Sequence, residues 1–125
     1  MVVDCSVLSA ILFGEATRDA ALRIITGRTL HAPRLLESEL VNVAVKKSRV
    51  GWSQVVLSDG LAHYAQQVIE LHRPDLQEQY ALALRYGLSG YDAAYLWLAG
   101  LLQAPLATFD EKLAKAARAY LAGPA

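Results

Sequence analysis

Val2-Val3-Asp4-Cys5-Ser6, followed by Val7-Leu8-Ser9-Ala10-Ile11-Leu12-Phe13-Gly14, decides the fold class. Two β-branched residues read as a short buried strand that ends at Asp4. Ser6 to Phe13 then reads as a helix, and Gly14 is a suitable stop. Near the other end, Pro105-Leu106-Ala107-Thr108 is again a short apolar strand, and Asp110 opens a helix from Glu111 to Tyr120. A strand running directly into a helix, twice over, is the grammar of a parallel sheet covered by helices.

The intervening chain keeps the same alternation. Thr17 is placed to cap a helix through Ile25, with Gly27 closing it. Thr29-Leu30-His31-Ala32 is a second strand. Pro33 follows in the favoured first turn of a helix to about Lys47. Gly51 breaks the pattern, and Ser53 caps a helix to about Gln67. Val68 to Leu71 is a short strand carrying one charge, Glu70. Asp75 to Arg85 is helical, Gly87 to Gly90 turns, and the next helix runs to about Gln103. These elements predict an α/β protein, a three-layer α/β/α sandwich around a central, mainly parallel sheet, with right-handed crossovers. Residues 1–125 suit a single domain. Ligand sites in such sheets lie beyond the carboxyl ends of the strands, which directs attention to Asp4 and Asp110.

Composition narrows the function classes. Hydrophobic residues are 54% and charged residues 19%, enough for one core. Twelve basic residues balance twelve acidic ones, so any nucleic-acid-binding surface must be local. One cysteine, Cys5, excludes an internal disulfide and a cysteine-based zinc cluster. No apolar run approaches the roughly 20 residues of a membrane span. The expectation is a soluble, cytoplasmic protein without a membrane partner. His31, His63 and His72 show no metal-ligand spacing and read as one strand-edge residue and two surface or half-buried ones. No glycine-rich phosphate loop and no nucleophile elbow is present.

The carboxylates carry the chemistry. Asp4 and Asp110 each precede a helix, and Asp92 lies three residues after Ser89, so each has a capping explanation. Glu39 resists that reading. At 100° per residue, Leu36, Leu40, Val43 and Lys47 share one helical face, and Glu39 falls on the flank of that stripe while Glu37 points away. A carboxylate there needs a compensating partner, either a salt bridge from Lys46 or Arg85 or a metal ion. As a set, four acids at strand ends and helix starts repel one another and call for a cation. Oxygen ligands of this kind select Mg2+ or Mn2+ over zinc.

Four stretches then resemble one family. They are Val2-Val3-Asp4-Cys5-Ser6; Ala32-Pro33 leading to Glu39-Leu40-Val41-Asn42-Val43-Ala44; Tyr86-Gly87-Leu88-Ser89-Gly90-Tyr91-Asp92-Ala93-Ala94-Tyr95; and Pro105-Leu106-Ala107-Thr108-Phe109-Asp110-Glu111-Lys112-Leu113. In this order they resemble the PIN-domain ribonucleases, and within them the VapC-type toxins of type II toxin–antitoxin pairs. The resemblance implies a divalent-metal-dependent endoribonuclease in which Asp4, Glu39, Asp92 and Asp110 are catalytic and bind one or two Mg2+ or Mn2+ ions. It places Ser6 and Thr108 at supporting hydroxyl positions. Its implied partners are an RNA substrate, a cognate antitoxin protein and a second copy of the chain in a homodimer. Arg34, Lys46, Lys47, Arg49, Arg85 and Lys112 are the candidates for holding RNA. Ala119 to Ala125 leaves little for the short final strand many members carry.

Two other readings compete. One is a catalytically silent PIN-like module that binds RNA or protein without cutting. The other is a phosphatase-like α/β hydrolase with Asp4 as nucleophile, which meets Ser6 where a second acid would be expected.

Overall fold

The computed structural model describes residues 1–122. Four strands, β1 (Val2–Val3), β2 (Leu30–Pro33), β3 (Ile69–His72) and β4 (Leu106–Ala107), form one sheet in the order β3-β2-β1-β4. Every pairing is parallel: Val2 lies opposite His31 on one side and Leu106 on the other, and Leu30 to Pro33 runs beside Ile69 to His72. Two-residue β1 is therefore an inner strand, and Val2 and Val3 are wholly buried. This is the all-parallel arrangement expected when helices cover both faces of a sheet.

Among the described residues seven helices make the outer layers: α1 (Cys5–Phe13), α2 (Arg18–Ile25), α3 (Leu35–Arg49), α4 (Gln54–Tyr64), α5 (Leu76–Tyr86), α6 (Gly90–Leu102) and α7 (Glu111–Leu121). Helix α1 gathers α2, α3 and α4 around it, while α6 lies on β1, β2 and β4 and carries α5 and α7. Seven consecutive residues of α6, Ala93 to Ala99, are buried. A helix apolar all round is an interior helix, and α6 forms the centre of its layer. Leu36 and Leu40 anchor α3, and Phe13, Leu96, Leu98 and Leu113 fill the core between the layers. No helix among the described residues is long and apolar enough to cross a membrane.

Several expectations need correction. Pro33 is the last residue of β2, not the first turn of α3. It pairs with His72 beyond the end of β1, where an inner strand no longer needs an N–H on that side. Thr17 precedes α2 but makes no side-chain capping bond. The chain also enters β3 one residue later than read, so that His72 joins the strand. Ser53 caps as expected, accepting from the Val56 amide, and Gly14 ends α1 in the left-handed region. Asp75, read as helical, instead caps α5 by accepting from the Glu78 amide, and Gly87 ends that helix in the left-handed region. The helical turns of α7 reach Leu121, so Ala119 to Leu121 form no final strand, and Gly123 to Ala125 lie outside the described residues.

Close packing of α1 on α4 depends on Gly60. A methyl group there would sit 2.5 Å from the Phe13 ring and 2.7 Å from the Leu12 carbonyl oxygen. An exposed helical Gly→Ala change gains roughly 1 kcal/mol, whereas overpacking a core costs about 1–3 kcal/mol. The backbone carbonyl cannot swing away, so overpacking wins. Gly60→Ala is expected to lower the melting temperature by several degrees. Gly90→Ala, where the added methyl meets nothing within 4 Å beyond its chain neighbours and its own helix backbone, should leave it unchanged or slightly higher. Thermal melting by circular dichroism checks both.

Candidate functional site

The parallel pairing of β1 with β4 sets the centre of the site. Asp4 N–H donates to the Ala107 carbonyl at 3.1 Å, which brings the residue after each strand side by side. The Thr108 hydroxyl donates to Asp4 Oδ2 at 2.5 Å, and the Ser6 hydroxyl donates to Asp4 Oδ1 at 2.7 Å. Asp4 Oδ1 also accepts the Val7 amide at 3.2 Å and so caps α1. The two hydroxyls are themselves held: Ser6 Oγ accepts the Phe109 amide at 2.9 Å and Thr108 Oγ1 accepts the Asp110 amide at 3.0 Å. Ser6 and Thr108 thus fasten the start of α1 to the turn before α7.

The other three acids come from different elements. Asp110 caps α7, its Oδ1 accepting the Leu113 amide at 2.8 Å. Asp92 stands in the first turn of α6, its amide bound by Ser89 Oγ at 3.1 Å. Glu39 projects from the flank of α3 and accepts the Tyr95 hydroxyl at 2.5 Å. Neither Lys46 nor Arg85 pairs with Glu39; its partner is a buried tyrosine of α6 that sequence reasoning placed only near Asp92. Tyr95 lies one helical turn after Asp92.

Charge accumulates here. Burial pushes the Asp4 carboxyl above its ordinary range, against the pull of its hydrogen bonds from Thr108, Ser6 and Val7. Glu39 is raised first by burial and then by the negative charges of Asp4 and Asp92. Asp92 is raised by burial, by Asp110 and by Asp4, with Lys112 pulling the other way. The Cys5 thiol, next to Asp4, is pushed up to about 12 by burial, Glu39 and Asp4, and is therefore an inert thiol rather than a thiolate. The charges of Asp4 and Asp92 reach Glu39, and those of Asp110 and Asp4 reach Asp92; all four residues offer oxygen donors, though among the described residues no three of them bring their oxygens within 4.8 Å of one another.

A family model, PIN domain, matches residues 1–119. The chain belongs to the PIN-domain family. It is 29% identical over 124 residues to Ribonuclease VapC3 of Pyrobaculum aerophilum, across 92% of each chain. Its fold superposes on the crystal structure of PAE2754 from the same organism with a TM-score of 0.73 and 25% identity, covering 97% of this chain and 91% of the other.

In this PIN domain a groove of about 410 Å³ opens beside Glu39, the one member of the four acids that lines it, with Cys5, Ser6, Asn42, Lys46 and Tyr91 among its other walls. Asn42 escaped sequence reasoning, although it lies one turn from Glu39 and one turn from Lys46 on the same face of α3. The basic candidates separate by position. Lys46 lines the groove, and Lys112 lies close enough to Asp92 to act on its charge. Arg34 is exposed at the start of α3. Lys47 is bound to Glu15 at 3.3 Å and covers the Trp52 ring. Arg85 stacks on Tyr86 and Tyr120, and Arg49 lines an apolar groove between α3 and α4. The histidines also depart from expectation: His31 and His72 are neighbours, with Nδ1 of one 3.0 Å from Nε2 of the other.

The raised carboxyls set a pH dependence. A buried acid held protonated more tightly in the folded state than in the unfolded chain contributes stability below about pH 4. That contribution is lost as pH rises through its folded-state value. Asp4→Asn removes one such charge and retains an oxygen able to cap α1. In chelator at pH 7 the variant should melt above the wild type, and the gap should close as pH falls toward 4. Melting curves across that range test this; a variant that melts lower at pH 7 would overturn it.

Proposed function

We propose that the chain acts as one PIN-like domain over residues 1–125, a Mg2+- or Mn2+-dependent endoribonuclease and the toxin of a type II toxin–antitoxin pair. The observation that supports the reading is the electrostatic coupling of Asp92 to Asp4 and Asp110, and of Glu39 to Asp4 and Asp92, among acids placed just after β1, on α3, on α6 and just before α7. Similarity to a protein named as a ribonuclease supports the substrate class. The donor set fits a hard divalent cation, since it contains carboxylates alone and their mutual repulsion is relieved by positive charge. Mg2+ or Mn2+, as one or two ions held by these four residues, supplies an activated water and offsets charge building on the phosphate.

The protein's own groups have distinct tasks in this scheme. Ser6 and Thr108 fix both oxygens of Asp4. Ser6 therefore acts as a brace where the phosphatase reading needed a second acid. Tyr95 orients Glu39, which directs the attacking water. Lys46, Lys112 and Arg34 hold the phosphate backbone on either side of the acids, and exposed Tyr91 offers a face for a base. Arg49, Arg85 and Lys47 are left as weaker contributors because of where they sit.

Purified protein should cut single-stranded RNA in millimolar Mg2+ or Mn2+ and not in chelator. Glu39→Gln should reduce cleavage a hundredfold or more, about 3 kcal/mol of barrier. Glu37→Gln should have little effect, because Glu37 is two residues away on α3 and lies against Tyr64. Metal-independent RNA binding without cleavage would establish the silent-module reading instead.

Assembly belongs to the same proposal. Val41 and Val45 are exposed on α3 at 50% and 39%, above a groove that Leu57 and Leu61 of α4 also line. Such a patch on a small chain favours a homodimer, with an antitoxin segment lying across the acidic groove. Light scattering at micromolar concentration should give twice the chain mass, and Val41→Asp with Val45→Asp should return a monomer.

A further inference from the structure

A second group of ligating side chains lies on the sheet, built by the β2–β3 pairing. His31 of β2 is in register with Glu70 of edge strand β3, and Glu70 and His72 are two residues apart and so share a face. His31 Nδ1 is 3.0 Å from His72 Nε2 and 3.1 Å from Glu70 Oε2. These three residues form the one trio among the described residues whose potential ligand atoms all lie within 4.8 Å of one another. A single N–H on His31 cannot point straight at both neighbours. An ion between them would engage all three. Zinc–nitrogen bonds of roughly 2.0–2.1 Å put tetrahedral ligands about 3.3 Å apart, close to the spacings already present. The His31 side chain is 18% exposed and that of Glu70 is 67%, so the group is anchored on its inner side and open to solvent on the other.

We propose that His31, Glu70 and His72 form a binding site for a divalent transition-metal ion of the zinc class, separate from the four acids, with a fourth position open to water. Two imidazoles and one carboxylate suit Zn2+, Co2+ or Ni2+, whereas Mg2+ prefers oxygen alone. The bound ion ties the edge strand β3 to the inner strand β2 and stabilises the folded chain by mass action.

The test is a Co2+ titration of the chelator-stripped protein in excess Mg2+, followed by visible absorption, with Zn2+ added to displace the Co2+. One equivalent should bind, and Zn2+ should raise the melting temperature. His72→Gln and Glu70→Gln should each weaken Co2+ binding at least about tenfold, while Glu39→Gln should leave it unchanged. Both strand residues are partly or largely exposed; if His72→Gln unfolds the chain, Glu70→Gln alone gives the answer. Absence of stoichiometric binding would overturn the proposal. So would binding as tight as the wild type's in both strand variants, or a loss confined to Glu39→Gln, which would assign the ion to the acidic site.

Discussion

The hydroxyl of Thr108 on the carboxylate of Asp4 joins parts of the chain 104 residues apart, and much of the structure depends on it. The first and last strands are only two residues each, too short to define an orientation alone. The Thr108 and Ser6 bonds lock the turns that leave those strands and so fix where α1 and α7 begin. A buried carboxylate with no such donors would cost several kcal/mol; here each oxygen receives at least one hydroxyl.

Capping and site formation are one arrangement in this protein. Asp4 and Asp110 both accept amides at helix starts, and Asp92 occupies the first turn of a third helix. Each helix end contributes positive partial charge worth about 0.3–1 kcal/mol to a nearby anion. Such ends offset part of the repulsion that Asp4 and Asp110 exert on Asp92. The offset is incomplete, since burial and neighbouring charge still hold Asp4, Glu39 and Asp92 above the usual carboxylate range. The protein thus keeps a concentration of negative charge that a structural capping role alone would not require.

Helix α6 connects this electrostatic centre to the core. Its buried stretch supports β1 and β2 from one side and presents Tyr95 to Glu39 on the other. Gly100 on the same helix lets the Tyr120 ring of α7 pack against the backbone. Trp97 binds Glu78 of α5 at 2.6 Å. Displacing α6 would therefore disturb Asp92, Glu39 and the seat of α7 together.

What the sequence by itself determined is local. The strand-to-helix steps at Asp4 and Asp110, the cap at Ser53, and the phase that sets Glu39 beside the Leu36–Leu40 stripe and Glu37 away from it all follow from periodicities of two and 3.6 residues and end signals within a few turns. The order of acids along the chain was likewise legible as a family pattern. Tertiary structure alone decided the partners. Tyr95 reaches Glu39 across 56 residues, and His31 meets His72 across 41. Lys47 turned to Glu15 and Trp52, Pro33 ended a strand, and Thr17 capped nothing. Each of these depends on which strands are neighbours and in what register, and that is set by the packing of whole layers, to which no local spacing of residues refers.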